Sequence, residues 1–321
     1  MKPYFLAAAL IGATATAASA QDVLTIASNP QGSQFFTASA AIAKVLDERL
    51  KRPFRVQPMA GSSTYIPLLN RNEVNFGLTN VDDASTSFKG TGNFDGKPNP
   101  SLRLTAAVFP LYLSVLVPND SPVKKIADLK GLRLPTGYAA QATGRIIQEA
   151  ILAPGGLKPD DVKSVPAVNL FAGTDALAAG RVDGATINPG VAQVQQANAT
   201  LASRGGVRFL SIETDPEAVK RMKAIMPSRP FQVPPASHRP GVIGPTWMMA
   251  YSIFFSTNDQ TPDQLVYDLL KALHDGREEL IAASPIFNEF DLGRMSEEIG
   301  VPWHPGAIKY LTEIGQWPPK G

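Results

Sequence analysis

Short runs of aliphatic and β-branched residues alternate along the chain with segments whose apolar residues recur at helical spacing. In the first half, the runs VLTIAS (23–28), FRVQPM (54–59) and VNFGLTN (74–80) are typical of strands. The segments TASAAIAKVLDERL (37–50) and YIPLLNRN (65–72) separate them with helical periodicity. Because strands that alternate with helices imply βαβ units, the pattern predicts an α/β fold built on mostly parallel sheets flanked by helices.

The second half of the chain repeats this alternation. The predicted strands are residues 131–137, 181–188 and 207–212, and the predicted helices are residues 143–156, 169–180 and 189–201. Pro189 is expected in the first turn of the last of these helices. Residues 261–276 and 305–315, near the end of the chain, also have helical patterns.

Two long apolar segments suggest how the chain divides. LRLTAAVFPLYLSVLVP (102–118) is too long for one ordinary strand and contains Pro110, so we expect one strand that ends a first lobe and another that crosses to a second. TWMMAYSIFFS (246–256) is placed to carry the chain back. The predicted organisation is two lobes, residues 21–110 with 256–321 and residues 111–255, the second including the two crossing strands.

An internal echo relates the two halves. PLLNRNEVNFGLTN (67–80) and DALAAGRVDGATIN (175–188) both run from a helix through a turn and a short strand to an asparagine. This places Asn80 and Asn188 at equivalent strand ends, facing each other across a cleft. Any helix-turn-strand unit has a similar pattern, so a true repeat stays an open alternative.

The first 20 residues have the pattern of a secretory signal peptide. They combine one lysine, a short apolar run and the small residues Ala18-Ser19-Ala20, which predicts cleavage before Gln21. No later segment holds about 18 apolar residues together, so we expect a soluble protein after cleavage. A chain without cysteine has no disulfides, and a Gram-negative periplasm fits best. The net charge of +2, with no basic run, argues against binding to nucleic acid.

The sequence shows no pattern of a catalytic centre. His238, His274 and His304 are far apart and have no metal-ligand spacing. No GxSxG, P-loop or GxGxxG motif occurs, and adjacent carboxylates such as Asp82 and Asp83 point in different directions on a regular element. We therefore predict a non-enzymatic protein with no cofactor and no metal.

Four polar loops precede predicted helices, two in each lobe. They are PQGSQFF (30–36), AGSSTY (60–65), TGYAAQAT (136–143) and NPG (188–190). In a parallel α/β sheet such loops lie on one edge, and each helix N-terminus there has free N–H groups that favour an anion. We expect the loops to converge on an interlobe cleft, although each loop alone is explained equally well by helix capping. The candidate ligand-binding residues of these loops, together with Asn80, are Gln31, Gly32, Ser33, Phe35, Phe36, Gly61, Ser62, Ser63, Tyr65, Tyr138, Gln141, Thr143, Asn188, Pro189 and Gly190.

These segments, in this order, resemble the TAXI class of solute receptors, which serve TRAP transporters. The resemblance covers nearly the whole mature chain and rests on six motifs. They are GSQFFTASAAIAKVL (32–46), GSSTYIPLLNRNEVNFGLTNVDDA (61–84), DLKGLRLPTG (128–137), AAGRVDGATINPG (178–190), TWMMAYSIFFS (246–256) and HPGAIKYLTEIG (304–315). The resemblance implies a two-lobed, class II periplasmic-binding-protein-like fold. It also implies a receptor that closes on a small organic anion, such as a carboxylate, a dicarboxylate or the amino acid glutamate, and delivers it to TRAP membrane subunits.

The chain departs from the TAXI pattern in two loops. Ala140-Gln141-Ala142-Thr143 stands where relatives typically have Gly-Ser-Gly-Thr, and Tyr65 stands where the family often has asparagine. Arg145, just inside the following helix, is a candidate partner for an acid group of the ligand, or else a solvated surface residue. Asp82 matches the family aspartate, and its alternative role is to cap the helix that follows.

Three other functions remain open from the sequence. The first is a substrate-binding protein of an ABC importer for sulfonates or thiamine precursors, which uses the same fold. The second is an exported hydrolase that uses Asp82 or Asp83, and the third is a sensory domain that reports ligand to a membrane kinase.

Overall fold

The computed structural model describes residues 23–139 and 141–319. The predicted signal peptide and its cleavage site therefore lie outside the described residues, as does Ala140 of the altered loop. The strands are β1 (Leu24–Ser28), β2 (Phe54–Pro58), β3 (Phe76–Asn80), β4 (Leu102–Pro118), β5 (Arg133–Gly137), β6 (Lys163–Ala167), β7 (Ala185–Ile187), β8 (Val207–Phe209), β9 (Arg229–Val233) and β10 (Thr246–Asn258). The α-helices are α1 (Gln34–Leu50), α2 (Ser62–Asn70), α3 (Val81–Lys89), α4 (Ala142–Leu152), α5 (Leu170–Ala178), α6 (Ala192–Thr200), α7 (Pro216–Ile225), α8 (Asp263–Asp275), α9 (Arg277–Ala283) and α10 (Pro305–Glu313).

The first lobe is built on a mixed sheet with the strand order β2-β1-β3-β10-β4. β1 pairs in parallel with β2 and β3, as the βαβ pattern predicts. β10 enters antiparallel between β3 and β4. Aromatic residues fill the interior, where Phe76 stacks on Phe255 with ring centroids 5.3 Å apart.

β4 and β10 are the two crossing strands, and they pair with each other along most of their length. The expectation that residues 102–118 form two strands is wrong, because β4 is one strand of 17 residues. Pro110 is tolerated since β10 lies on one side of it, while β7, on the other side, begins to pair with β4 only at Ser114.

The second lobe has a less continuous sheet than predicted. β5 and β6 pair in parallel as a two-stranded sheet. β7 and β8 add antiparallel to the far end of β4, and β9 adds antiparallel to β10. Alternating strands and helices thus produce a two-lobed α/β fold with a curled, mixed sheet.

α6 begins three residues later than predicted. Pro189 precedes the helix, because Gly190 adopts a left-handed conformation with φ +84° and Val191 is the N-cap. Residues 188–190 therefore form a turn after β7 and are not part of α6. Among the described residues, no helix is both long and apolar enough to cross a bilayer.

Candidate functional site

A buried polar cluster surrounds the carboxylate of Asp83 at the start of α3. Asn80 is the N-cap of α3, and its side chain accepts a hydrogen bond from the Asp83 amide at 2.9 Å. The Asn80 amide group donates to Asp83 Oδ2 at 3.0 Å, and the Ser62 hydroxyl from the first turn of α2 donates to the same oxygen. The first turns of α2 and α3 are thus joined through one carboxylate.

The second lobe contributes Thr143 to this cluster. Thr143 lies in the first turn of α4, and its hydroxyl donates to Asp83 Oδ1 at 3.0 Å. Burial raises the pKa of Asp83, while the donors from Ser62, Thr143 and Asn80 act in the opposite direction. Away from the two crossing strands, this is the first of three side-chain contacts that join the lobes.

The second contact lies where the Asn188 turn meets α1. The Asn188 amide donates to Gln34 Oε1 at 2.6 Å. Gln34 is the first residue of α1, so the turn after β7 touches the N-terminus of the first helix in the other lobe. The two lobes therefore approach each other through the strand-end loops that the sequence singles out.

The third contact is an ion pair close to the crossing strands. Arg239 Nη2 donates to Glu289 Oε1 at 2.8 Å, and the Tyr112 hydroxyl donates to Glu289 Oε2 at 2.7 Å. Burial is the main reason that the pKa of Tyr112 rises well above its usual range, and its bond to Glu289 adds to the effect. Glu289 therefore connects a residue on β4 with the segment that follows β9.

A cavity of about 370 Å³ lies between the second and third contacts. This volume is in the range that small-molecule sites occupy. Its polar lining includes the Thr37, Asn188 and Arg239 side chains, and its apolar lining includes Leu111 and Ile286. The remaining lining residues are Gly32, Gln34, Pro110, Tyr112, Pro189, Gly190, Val191, Ala192, His238, Ser284, Pro285 and Glu289.

Asp82 carries a second buried carboxyl group beside Asp83. Its side chain is covered, and Oδ2 has no hydrogen-bond partner. Burial raises the pKa of Asp82 to about 7, and the neighbouring charge of Asp83 adds to this shift. Strongly shifted carboxyl groups concentrate at functional sites, so Asp82 stays a candidate for ligand contact.

The predicted site residues fall into three groups. Gly32, Asn188, Pro189 and Gly190 line the interlobe cavity. The Asp83 cluster contains Ser62, Asn80 and Thr143, with Asp82 beside it. The third group contains the predicted residues that belong to neither place, which are Gln31, Ser33, Phe35, Phe36, Gly61, Ser63, Tyr65, Tyr138, Gln141 and Arg145.

Several residues of that third group have roles within one lobe. Tyr65 and Tyr138, expected as ligand-binding residues, are fully buried, and their hydroxyls donate to the carbonyls of Leu78 and Pro135. Gln141 accepts from the Leu170 amide at the start of α5. Arg145 is exposed.

Ser33 and Phe35 likewise act inside the first lobe. Ser33 caps α1 by accepting from the Phe36 amide, and Phe35 belongs to the core while Phe36 is half-buried. Gln31 is exposed, and Gly61 and Ser63 lie half-buried at the start of α2. Contact of these residues with ligand stays a prediction.

Sequence analysis missed the charged pair of the cavity. Arg239 belongs to the proline-rich stretch PPASHRPG, and Glu289 ends a short 3₁₀ helix, Pro285–Glu289. Neither segment is a loop at the end of a parallel strand, which is the rule that selected the candidates. The concentration of His238 and Arg239 in a proline-rich loop was a signal in the sequence that this rule ignores.

The histidines and carboxylates of the described chain form no metal centre. Within residues 23–139 and 141–319, no group of three or more His, Asp or Glu side chains has the geometry to hold a metal ion. His304 is buried and caps α10 by accepting from the Gly306 amide, and burial lowers its pKa. His238 lies on the cavity wall.

Comparison with known families identifies the chain. The model of the NMT1-like family matches residues 26–315. The chain belongs to the NMT1-like family. This match shows the family only, and the TAXI subtype is a finer assignment that it does not show.

Solved structures with similar folds place this NMT1-like protein among periplasmic-binding-protein-like folds. One described as a periplasmic transporter has a TM-score of 0.57 and 14% identity, over 93% of this chain and 94% of its own. PhnD1 from Prochlorococcus marinus, in complex with methylphosphonate, has a TM-score of 0.53 and 13% identity, over 92% of this chain and 97% of its own. XAC2383 from Xanthomonas citri, bound to ATP, has a TM-score of 0.53 and 10% identity, over 91% and 95% of the two chains. At these identities the likeness establishes the two-lobed fold.

Proposed function

We propose that this NMT1-like protein is a periplasmic solute-binding receptor, which holds a small organic anion between its lobes and delivers it to a membrane transporter. The observation that carries the proposal is the 370 Å³ cavity, which has walls from both lobes and lies between two interlobe contacts. Closure around a solute would exclude water and strengthen every polar contact to it. The receptor needs no covalent step for this function.

The lining of the cavity favours an anion with a short apolar body. Arg239 is the one Lys or Arg side chain among the described residues that line it. The Arg239 guanidinium carries five N–H donors, and its bond to Glu289 uses one of them. The N-terminus of α1 adds a partial positive charge at Gly32 and Gln34, opposite apolar residues such as Leu111 and Ile286.

Of the two transporter classes considered, the ABC importer has the better support. PhnD1 is described with methylphosphonate, a small alkyl group with a tetrahedral anionic head. That chemistry is closer to the sulfonates of the ABC alternative than to the carboxylates that the TAXI resemblance implies. Delivery to a TRAP transporter remains the second candidate, because the six TAXI-like motifs favour it.

Native mass spectrometry and thermal shift test the receptor function. The freshly purified protein is expected to carry a mass surplus that vanishes on unfolding, and at least one compound from a panel of alkylsulfonates, alkylphosphonates, carboxylates and amino acids should raise its melting temperature. A ligand at 100 times its dissociation constant stabilises the folded state by about 2.7 kcal/mol. A protein that shows neither retained solute nor a thermal shift would contradict the proposal.

Two arginine variants test the place of binding. Arg239→Gln is expected to weaken solute binding by about tenfold or more, because it removes a charge-assisted contact in the cavity. Arg145→Gln is the matched control, since Arg145 is exposed and does not line the cavity. If Arg145→Gln lost binding and Arg239→Gln kept it, the site would lie at the start of α4 instead.

Uptake measured in cells separates the two transporters. Transport that survives collapse of the sodium gradient but requires ATP indicates an ABC importer. Transport that stops when the sodium gradient collapses indicates a TRAP transporter.

A further inference from the structure

A second and larger concavity lies beside the solute cavity. This hinge groove, of about 1370 Å³, has a floor from β4 and β10. One wall comes from the second lobe, with Lys223 and residues 228–231, and the other from the first lobe, with residues between His274 and Glu298. Pro110, Tyr112 and Glu289 line both the groove and the solute cavity, so the two spaces adjoin.

Arg229 is the notable cation of the hinge groove. Its guanidinium lies 5.8 Å above the ring of Phe231, which itself stacks on Tyr112 at 4.8 Å. The Nη1 atom is covered from solvent and has no hydrogen-bond partner. Within the described residues, no carboxylate lies close enough to form an ion pair with Arg229.

The acidic residues of the groove are already engaged by other donors. Glu289 is held by Arg239 and Tyr112, and Glu297 accepts from the Ser252 hydroxyl. The other acidic lining residues also accept hydrogen bonds, and these are Asp275 from Lys271, Glu278 from Arg277, Asp291 from the Gly293 amide and Glu298 from the Gly300 amide. Glu297, Asp291 and Glu298 are bonded to neutral donors and keep their negative charges, so Arg229 differs from them in that its Nη1 atom has no partner.

We infer that the hinge groove holds a second anion site, in which Arg229 binds a small oxyanion such as phosphate or a carboxylate. A buried guanidinium nitrogen without an acceptor costs free energy, and an oxyanion supplies that acceptor. The planar guanidinium fork fits two oxygens of such a group, and the Phe231 ring fixes its orientation.

The test uses inorganic phosphate as the probe and thermal shift as the readout. Phosphate at millimolar concentration is expected to raise the melting temperature of the wild-type protein. Arg229→Gln should weaken the apparent phosphate affinity by about tenfold or more, and Arg229→Lys, which keeps the charge but loses the fork, should fall in between. Arg294→Gln, which removes an exposed cation of the same groove, should respond as the wild type does.

Arg239→Gln distinguishes the groove from the solute cavity. This variant is expected to keep the phosphate response. If Arg239→Gln lost the response and Arg229→Gln kept it, phosphate would bind in the solute cavity and the inference would be overturned while the receptor function stood. An absent response in the wild type would also overturn it.

A crystallographic experiment keeps the inference testable if the Arg229 variants do not fold. Wild-type crystals soaked in selenate are expected to show anomalous density within hydrogen-bond distance of the Arg229 guanidinium. Crystals in which that position holds no selenate, under conditions where the groove is open to solvent, would overturn the inference.

Discussion

Burial of the Asp82 carboxyl group lowers the stability of the folded state, and folding alone does not require that burial. Its carboxyl group is buried, lacks a partner for Oδ2 and lies beside the carboxylate of Asp83. The pKa of Asp82 is about 7 in the folded protein, against an ordinary value of 3.8. The folded state therefore binds this proton more tightly than the unfolded chain does.

Replacement of Asp82 tests this burial. In the wild type, Asp82 lowers the stability of the folded state as the pH rises from about 4 to about 7, by about 4 kcal/mol in total. Asp82→Asn removes the charge, so its free energy of unfolding should exceed that of the wild type at pH 8 and approach it near pH 4. Urea denaturation of both proteins at the two pH values measures the difference, and an equal difference at both values would contradict the assignment.

The two neighbouring aspartates also show what the sequence reveals at the residue scale. Adjacent positions on a regular element predict that Asp82 and Asp83 diverge, and their different partners agree with this. The donor from Thr143 lies 60 residues away, in the other lobe, so no local pattern reveals it. Side-chain environments of this kind depend on how distant segments meet.

At the scale of elements, the starts of α8 and α10 approach each other unusually closely. A Cβ built on Gly306 would lie 2.1 Å from the carbonyl oxygen of Asp263. His304 joins the same region, because its Nε2 lies 2.9 Å from the Thr261 carbonyl oxygen. Glycine at position 306 is therefore needed for packing of the two helices.

Gly306→Ala is expected to destabilise the protein by about 2 kcal/mol or more, because backbone atoms of α8 would have to move. Gly244→Ala is the control, since a Cβ there meets nothing within 4 Å. The free energy of unfolding in urea measures both changes. Equal free energies of unfolding for the two variants would show that α8 and α10 move apart at little cost, which would contradict the expectation.

Periodicity predicted most elements of the first lobe and missed others for physical reasons. β1, β2 and β3 carry uninterrupted strand patterns and lie where predicted. β6 contains Pro166 and is largely exposed, and β9 contains Pro230, so neither shows the apolar pattern of a strand. Pro110 obscured the length of β4. A proline interrupts a strand only where a neighbouring strand needs its N–H as a hydrogen-bond donor.

At the scale of the whole molecule, three side-chain contacts away from the crossing strands join the lobes in the described arrangement. They are Thr143–Asp83, Asn188–Gln34 and Arg239–Glu289. Each joins segments far apart in sequence, and the cavity lies between the second and third of them. The sequence predicted the loops at Asn188 and Gly32, but it gave no means to predict a cavity whose cation comes from another segment.

Thr143→Val is expected to favour a more open molecule. It keeps the shape of the side chain but removes the hydrogen bond to Asp83, and such a bond to a charged acceptor is worth about 1.5–3 kcal/mol. Small-angle X-ray scattering of the ligand-free protein should show a larger radius of gyration than for the wild type. Thr136→Val is the control, because the Thr136 hydroxyl pairs with Ser164 inside the second lobe, and an unchanged radius in Thr143→Val would mean that this contact does not hold the lobes closed.

In the proposed receptor, the position of Glu289 would also limit the length of the bound solute. A solute acid that competes for Arg239 frees one oxygen of Glu289, while Tyr112 still holds the other. A solute with a small head group and a short tail would leave the Glu289 carboxylate in place. A longer tail would pass Glu289 only if its carboxylate moved aside. Chain length within a homologous series of alkylsulfonates would then show a break in affinity, instead of a steady gain for each added methylene.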